Sequence, residues 1–208
     1  MKTCFIVGAG EENALNIVKN DGDMVVACDG GLLYLDKYGY KPDVIIGDFD
    51  SLGYVPTGKE VIKLNVIKDE TDVGAALRLF GDKYDRFVLL CCGGGKISHT
   101  LANIQNAINV AKRKKEVFIY DKKEIVTFVA DGKLTFASGK GFFSIFADGM
   151  CEGVTVTNAK YPLSDAVLKS DFPLGVSNEF VGNNTEISVK KGTLTVAFPI
   201  DNPLPEFN

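Results

Sequence analysis

The sequence predicts an α/β fold in which a mainly parallel sheet with helices is followed by an antiparallel sandwich or barrel. In the first half, short apolar runs alternate with segments of helical periodicity, as in a parallel sheet with crossover helices. After about Lys123, short β-rich runs follow one another between Gly, Asp, Asn and Lys turns. The chain has 208 residues and 46% hydrophobic content, enough for one large or two small packed cores. We therefore predict two domains, residues 1–123 and residues 124–208.

In the first half, the pattern predicts six strands and four helices. The expected strands are the short apolar runs at residues 3–7, 24–28, 44–46, 61–64, 87–91 and 117–120. The expected helices cover residues 12–19, 31–38, 72–80 and 98–112. The last helix has the clearest pattern, because Leu101, Ile104 and Ile108 fall on one face at helical spacing.

In the second half, six short strands are expected, each bounded by turn residues. They are residues 125–129, 134–137, 142–146, 153–157, 186–189 and 194–198. We expect the tail 202–208, which contains two prolines, to be irregular.

Charge and composition exclude some classes of partner. The net charge is −4, and the one dense basic run, residues 112–115, is interpreted as a helix end, so we expect no nucleic-acid partner. The first apolar run, residues 4–7, is too short for a signal peptide, and no apolar segment approaches about 18 residues. We therefore expect a cytoplasmic protein without a membrane partner. The five cysteines lack C-x-x-C spacing and are interpreted as reduced core thiols.

The segment 47–51, which reads GDFDS, is the strongest chemical signal. It follows an apolar run and places Asp48 and Asp50 two residues apart, so that both carboxylates leave an extended backbone on the same side. Carboxylates about 4 Å apart repel by about 4 kcal/mol at an effective dielectric constant of about 20, which favours protonation or a bound cation. A second acidic cluster lies at residues 68–72, and Asp29 follows another apolar run. Ordinary turn and N-cap chemistry is the alternative; we interpret the three acidic sites as a cation site.

Glycine-rich segments follow several of the predicted strands. Segments 8–10, 29–31, 47–51 and 93–95 all fall where ligands of open α/β sheets bind, beyond the carboxyl ends of the strands. The sequence has neither the complete dinucleotide fingerprint nor a P-loop, and the glycines at 8–10 alone indicate only a tight turn. Aspartate oxygens without paired His or Cys suit Mg²⁺, and Mg²⁺ beside phosphate-binding glycines indicates phosphoryl-type transfer.

These segments resemble, in order, the motif set of the thiamin pyrophosphokinase family. The resemblance runs from about residue 8 to residue 198, and its motifs are DGG at 29–31, PDVIIGDFDS at 42–51, KDETD at 68–72, GG with HTLANI at 94–95 and 99–104, KYPL at 160–163, and GVSNEF at 175–180.

The resemblance implies an activity and an architecture. Members of the family transfer a diphosphate from ATP to the hydroxyethyl group of thiamine, which yields thiamin diphosphate and AMP. Their fold is a Rossmann-like α/β/α catalytic domain followed by an antiparallel β-sandwich that binds thiamine. They are homodimers with the active site at the subunit interface.

The resemblance also implies site residues. Those expected to hold Mg²⁺ are Asp48, Asp50 and Asp72, and the catalytic set adds Lys68. Residues expected to bind ATP are Asp29, Gly30, Asp69, Thr71, Gly94, Gly95, Lys96, Ser98 and His99. Residues expected to bind thiamine are Ser177, Asn178 and Phe180.

The sequence departs from the family pattern in the second glycine loop. Lys96 replaces an arginine and loses its planar two-pronged contact, and Ser98 replaces an aspartate and removes one carboxylate. Weaker ATP affinity or an altered donor preference is therefore expected. Since the chain has no Trp, stacking on thiamine must come from Phe or Tyr. Phe180 is the residue we expect to stack, and a core aromatic is the alternative.

Two further roles and the exact activity stay open at this level. His99, the one histidine, is either a general base or a structural residue at a helix N-terminus. Lys68 either neutralises a phosphate oxygen or forms a surface ion pair. The competing activities are diphosphate transfer to another heteroaromatic alcohol, such as a pterin, and a non-catalytic nucleotide or thiamine sensor.

Overall fold

The computed structural model of the chain describes residues 1–50, 52–57, 60–65, 67 and 69–208. These residues form a mixed α/β fold with two units, one of residues 1–106 and 117–122 and one of residues 107–116 and 123–208. The predicted α/β class is confirmed. No helix in the described part of the chain is long and apolar enough to cross a membrane.

The first unit is built on parallel strands. Its strands are β1 (Thr3–Val7), β2 (Met24–Cys28), β3 (Val44–Gly47), β4 (Glu60–Lys63), β5 (Arg86–Leu90) and β6 (Glu116–Tyr120). The spatial order is β6-β5-β1-β2-β3-β4, and the pairs β5–β1, β1–β2, β2–β3 and β3–β4 are parallel. Each predicted strand is confirmed to within about one residue, because a strand buried on both faces is a continuous apolar run. The carboxyl ends of β1, β2, β3 and β5 consequently lie along one edge.

Three of the four predicted helices are confirmed. They are α1 (Gly31–Lys37), α2 (Asp72–Phe80) and α3 (Ile97–Lys112). Helix α2 begins where the sequence signals it, because the Thr71 hydroxyl accepts a hydrogen bond of 3.1 Å from the backbone N–H of Gly74.

The predicted helix at residues 12–19 is wrong, because this segment has no regular secondary structure. Its side chains alternate: Leu15 and Ile17 are buried, whereas Val18 is 77% exposed. Burial with a period of two is that of extended chain, not of a helix. The segment's polar groups are satisfied by distant partners, since the Asn13 amide donates to the Tyr120 carbonyl.

The second unit contains antiparallel strands. They are β7 (Glu124–Phe136), β8 (Phe142–Thr157), β9 (Leu163–Lys169), β10 (Asn178–Glu179), β11 (Thr185–Pro199) and β12 (Glu206–Phe207). The order is β10-β8-β11-β7, with β9 also on β8 and β12 also on β7.

The six short strands predicted here form three long strands. Each successive pair of predicted strands is one continuous strand: β7, β8 or β11. The residues interpreted as turns are irregularities inside continuing strands: the β11–β7 register shifts between Val189 and Thr193. Gly192 has φ 116°, and its N–H donates to the Asp131 carboxylate at 2.8 Å. A β-bulge uses the same Gly and Asp residues as a hairpin turn, so the pattern does not distinguish the two.

The expectation of an irregular tail is confirmed for residues 202–205, which lie in no helix or strand, but is wrong for residues 206 and 207. Glu206 and Phe207 pair with Thr135 and Leu134 of β7, and Asn208 exchanges two backbone hydrogen bonds with Lys133. The edge of a long strand offers unpaired backbone groups, and the tail satisfies some of them.

All five cysteines are buried and free, which confirms the expected core thiols. Burial raises the pKa of the Cys92 thiol to about 12. It also raises the pKa of Cys4, Cys28, Cys91 and Cys151 above the usual range. These thiols therefore stay protonated at neutral pH and contribute to packing rather than to nucleophilic chemistry.

Candidate functional site

The loops at the carboxyl edge of the first unit have unusual backbone geometry. Three non-glycine residues there adopt left-handed conformations: Asp29 after β2 (φ 46°), Phe49 after β3 (φ 64°) and Cys91 after β5 (φ 53°). Such conformations cost about 1–3 kcal/mol each and concentrate at ligand sites. The edge that the sequence predicts to bind a ligand is thus also the strained edge of the sheet.

Three aspartates form an acidic group at this edge. Asp29, Asp48 and Asp50 each offer a carboxylate oxygen, and these oxygens all lie within 4.8 Å of one another. Asp29 is buried, Asp48 is half-buried and Asp50 is exposed. The structure therefore brings together the two aspartates of segment 47–51 and the aspartate that follows β2.

Gly47 lets the two loops approach so closely. A Cβ at Gly47 would lie 3.2 Å from both Cα and Cβ of Asp29, and the Asp29 N–H donates to the Ile46 carbonyl at 2.8 Å. A side chain at position 47 would push the aspartates apart.

Asp29 carries a polar atom that the described residues do not satisfy. Its Oδ1 is buried and has no hydrogen-bond partner among them. An isolated buried carboxylate oxygen is costly, whereas a bound cation would compensate it. The donors, three carboxylates without histidine or cysteine, match the oxygen ligands that Mg²⁺ prefers. Both the unsatisfied buried oxygen and the all-carboxylate donor set therefore fit a magnesium ion.

The acidic segment before α2 contributes differently. Asp72, the first residue of α2, is not a member of the group of three within 4.8 Å. Burial raises the pKa of the Cys28 thiol, and the charges of Cys92, Asp72, Cys4 and Asp29 raise it further. Helix α2, which begins at Asp72, contacts β1, β2 and β3. Asp69 is exposed, whereas Lys68 lies outside the described residues.

The second glycine loop follows β5. Gly94 and Gly95 have φ of 67° and 61°. The loop is anchored at both ends: the Glu11 N–H donates to the Gly93 carbonyl at 2.8 Å, and the Asn103 amide of α3 donates to the Cys92 carbonyl at 2.7 Å. Glu11 was not among the predicted site residues, and Asn103 belongs to the motif at 99–104 but was given no role, since nothing in their spacing signals these contacts.

Other predicted nucleotide residues lie at the start of α3 and just before α1. Lys96, Ser98 and His99 are exposed at the start of α3, where the His99 N–H donates to the Lys96 carbonyl at 3.0 Å. Gly30 is buried and precedes α1. This 16-residue helix starts beside the glycine loop, and the positive end of a helix dipole favours a bound anion.

The predicted thiamine residues lie in and beside β10. Ser177 is exposed with φ 58°, and its N–H donates to the Ser144 hydroxyl at 3.1 Å. Asn178 is 5% exposed, and Phe180 is 6% exposed. The ring of Phe180 packs against Phe143 and Phe136, with centroids 4.5 Å and 5.2 Å away.

Comparisons with known proteins agree with the ordered motifs. The family model described as "Thiamin pyrophosphokinase, catalytic domain" matches residues 15–119, and "Thiamin pyrophosphokinase, vitamin B1 binding domain" matches residues 135–194. A thiamine pyrophosphokinase of Bacillus subtilis is 28% identical over 208 residues, covering 93% of this chain and 97% of the relative.

Solved structures show the same fold over nearly the whole chain. The crystal structure of the thiamine pyrophosphokinase of Bacillus subtilis has a TM-score of 0.84 at 24% identity, covering 96% of this chain and 99% of the other. That of Geobacillus thermodenitrificans has a TM-score of 0.82 at 22% identity, covering 97% and 98%. The thiamin pyrophosphokinase of Candida albicans has a TM-score of 0.79 at 13% identity, covering 96% and 89%. With two family models matching in order and covering most of its length, the chain belongs to the thiamin pyrophosphokinase family.

Proposed function

We propose that this protein is a thiamine diphosphokinase, which transfers a diphosphate from ATP to thiamine and yields thiamin diphosphate and AMP. The observation that carries the proposal is the acidic group Asp29, Asp48 and Asp50 at the carboxyl edge of a parallel sheet, in a chain that matches both domains of the family. Neither the pterin-type acceptor nor the non-catalytic sensor is favoured by a specific feature of the site.

The proposed reaction is a displacement at the β-phosphorus of ATP. The hydroxyl oxygen of thiamine forms a bond to this phosphorus. At the same time, the bond between the β-phosphorus and the oxygen that bridges it to the α-phosphate breaks. The electron pair leaves with AMP, and the hydroxyl proton is lost to a base or to water. Phosphoryl transfers of this kind have loose transition states, so the protein contributes mainly by positioning and by charge stabilisation.

The acidic group would hold Mg²⁺. Asp48 and Asp50 are the proposed ligands, and the buried unsatisfied Oδ1 supports adding Asp29 to them. When bound, the ion would neutralise charge on the polyphosphate and orient it. Asp72 and Lys68 stay in the proposal as catalytic residues, Asp72 because it is the first residue of α2, a helix that contacts β1, β2 and β3.

The glycine loop would bind the phosphates of ATP. Gly94 and Gly95 are both in the left-handed region, as in loops whose backbone N–H groups bind anions, and the exposed Lys96 adds a positive charge at the same loop. Gly30, Asp69, Thr71, Ser98 and His99 are the remaining proposed nucleotide residues. Because a lysine binds phosphate as a point charge, we expect weaker ATP affinity or an altered donor preference.

The finer architecture is part of the same proposal. We assign residues 1–123 to a Rossmann-like α/β/α catalytic domain and residues 124–208 to a β-sandwich that binds thiamine near Ser177 and Asn178. The assembly would be a cytoplasmic homodimer with the active site at the subunit interface. An exposed apolar patch in the second unit supports self-association: Phe146, Phe172 and Leu174 are 40%, 66% and 54% exposed and line one shallow cavity.

The direct test is AMP release from ATP. The proposal predicts release that requires both thiamine and Mg²⁺, with thiamin diphosphate formed in equal amount. Asp72→Asn should abolish turnover while circular dichroism and thermal melting stay unchanged. AMP release with a pterin alcohol but not with thiamine would point to the other acceptor class, and ATP or thiamine binding without AMP would point to a sensor.

Subunit mixing tests the shared active site. Asp50→Asn and a thiamine-site variant, Ser177→Trp, should each be nearly inactive as homodimers. Random reassociation would give half heterodimers, each with one intact site, and therefore about a quarter of the parental activity. If each active site instead lies within a single subunit, every site in the mixture carries one of the two substitutions. Mixing would then restore no activity.

A further inference from the structure

Five successive backbone carbonyls, those of residues 90–94, each accept a hydrogen bond within the first unit. Three donors are backbone N–H groups of the segment after β1, and two are side chains of α3. From donor to acceptor, the pairs are Gly8 to Leu90 (2.9 Å), Gly10 to Cys91 (2.7 Å), Glu11 to Gly93 (2.8 Å), Asn103 to Cys92 (2.7 Å) and Thr100 to Gly94 (3.3 Å). The carbonyl oxygens, which would repel a phosphate, are therefore occupied by protein donors along the whole of this loop.

The N–H groups of the same loop are used differently. Those of Gly93, Gly94 and Gly95 donate to no acceptor within the part of the chain that the structure describes. Successive N–H groups in such a loop form a concave site for an anion. Loop 91–95 thus keeps donors for a phosphate only as long as its carbonyls stay bound to the protein.

Segment 8–13, which follows β1, lies directly behind loop 91–95. A Cβ at Gly10 would lie 2.5 Å from the Gly93 carbonyl oxygen, and a Cβ at Gly8 would lie 2.9 Å from the Cys92 Sγ. Side chains at positions 8 and 10 would push the two segments apart and break their hydrogen bonds. The two glycines therefore have a role that requires no contact with ATP, because they let segment 8–13 support the loop.

Cys91, the first residue of the loop, is strained. It is fully buried, and its φ of 53° lies in the left-handed region, which is unfavourable for a residue with a side chain. Such a conformation persists only where the surrounding structure holds it.

Asn13 supplies much of this hold. Its Oδ1 accepts from both the backbone N–H and the thiol of Cys91, each at 3.3 Å, and its Nδ2 donates to the Tyr120 carbonyl at 2.6 Å. The side chain is only 8% exposed, so its amide joins segment 8–13 to the ends of β5 and β6 inside the protein. Since the Cys91 carbonyl accepts from Gly10, every polar group of Cys91 is bound by segment 8–13.

We propose that Asn13 is a positioning residue for ATP, which holds Cys91 in the left-handed conformation and thereby fixes loop 91–95 in the shape that binds the phosphates. This inference rests on the proposed function, since it takes the loop as the phosphate site. Segment 8–13 is then a support for the loop and not itself a nucleotide contact.

The first test is Asn13→Ala. Without the amide, Cys91 can relax to an ordinary conformation, and only a fraction of the molecules keeps the binding shape of the loop. The apparent Kd rises as the inverse of that fraction, so we expect the Kd and the KM for ATP to rise about tenfold, and the KM for thiamine less than about twofold. Calorimetry with MgATP measures the Kd, and AMP release measures the two KM values.

A matched control exists in the second unit. Asn202 is 9% exposed, its Oδ1 accepts from the Lys140 N–H at 2.6 Å, and its Nδ2 donates to the Lys140 and Pro199 carbonyls at 3.0 Å and 3.1 Å. Asn202→Ala removes as many bonds from a buried amide and should lower the melting temperature similarly, but it should leave the KM for ATP unchanged. Equal rises in the KM for ATP would reduce the effect of Asn13→Ala to a general loss of stability and would overturn the positioning role.

A second change tests whether Asn13 acts through Cys91. Glycine adopts the left-handed conformation without steric cost, so the double variant Asn13→Ala with Cys91→Gly should keep the loop shape without the amide. Its Kd for MgATP should return to within about threefold of the parent value. No recovery would show that the conformation of Cys91 is not the link, and would overturn the inference.

The outcomes separate the inference from the proposed function. A parent protein that neither binds MgATP nor releases AMP with thiamine overturns both. An active parent whose Kd for MgATP is unaffected by Asn13→Ala overturns the inference alone. If Asn13→Ala does not fold, Asn103→Ala takes its place, because it frees the Cys92 carbonyl from the other side of the loop. An unchanged Kd for MgATP in that variant would show that the held shape does not matter for ATP, and would overturn the inference.

Discussion

Two equally buried polar side chains, one in each unit, are satisfied in opposite ways. Asp29 is 6% exposed, and its Oδ1 has no partner among the described residues, whereas Asn178 is 5% exposed and uses both amide atoms on Tyr161. A left-handed backbone conformation occurs at each position: Asp29 itself has φ 46°, and Asn178 follows Ser177, which has φ 58°. In the proposed function the two groups have different roles: the buried oxygen of Asp29 would bind a cation, whereas the Asn178 amide holds the backbone of Tyr161.

The same contrast extends to the aromatic residues of the second unit. Phe180 has rings packed against it, while Tyr161, whose backbone is held by two hydrogen bonds to the Asn178 amide, is largely exposed. Residues that carry a family motif therefore divide into buried residues that support the fold and exposed residues that are open to a ligand. Substitutions can separate the two groups, because supporting residues should affect stability and ligand-facing residues should affect activity.

The largest expected effect is on stability, from Phe180→Ala. Removing a buried Phe leaves a cavity between Phe143 and Phe136 and should lower the free energy of unfolding by about 3–5 kcal/mol. The matched control is Phe142→Ala, since Phe142 is 61% exposed and should cost less than about 1 kcal/mol. Urea unfolding measures both. Similar values for the two variants would mean that Phe180 is not a core residue.

The second effect is on activity, from Asp29→Asn. Asn tolerates the left-handed backbone as Asp does, so the fold should be retained. Removal of the negative charge from the acidic group should lower kcat/KM by about 100-fold, corresponding to about 2.7 kcal/mol. Asp165→Asn is a suitable control, because Asp165 is an exposed aspartate with φ 49° in the second unit. A loss of stability in Asp29→Asn comparable to its loss of activity would contradict the distinction drawn here.

The smallest effect is the stabilisation of the free protein by Mg²⁺. If the ion binds the acidic group of the folded state, a concentration ten times its Kd should add about 1.4 kcal/mol to the free energy of unfolding. Asp29→Asn should reduce this increment, and Asn178→Ala should leave it intact. Thermal melting with Mg²⁺, compared with the same ionic strength of NaCl, measures the increment. Equal stabilisation by the two salts would contradict a specific site.

Prediction from sequence succeeds where local pattern and tertiary environment agree. Strands β1 and β2 were predicted to the residue, because strands buried on both faces are unbroken apolar runs. Segment 12–19 was predicted wrongly, because Leu15 and Val18 have the i, i+3 spacing of a helical face. Only the burial of Leu15 and Ile17, with Val18 exposed, reveals the period of two. The bulges within β7, β8 and β11 likewise have the composition of turns.

The candidate site was likewise predictable where the order of the strands decides its geometry, and not where side-chain packing decides it. That Asp29, Asp48 and Asp50 share an edge was predictable, because parallel strands bring their carboxyl ends together. That Asp72 is not within the group of three, and that Phe180 packs inward while Tyr161 is exposed, was not predictable from spacing. Both depend on distances and orientations that only packing decides.

By itself, the sequence determined the fold class, the family, most strand positions and the aspartates that gather at one edge. All of these follow from local periodicity or from motifs read along the chain. Only the tertiary structure decided which buried polar atom lacks a hydrogen-bond partner among the described residues, and which aromatic ring is exposed. The physical reason is that hydrogen-bond satisfaction and exposure depend on groups distant in sequence, as Asn178 and Tyr161 are.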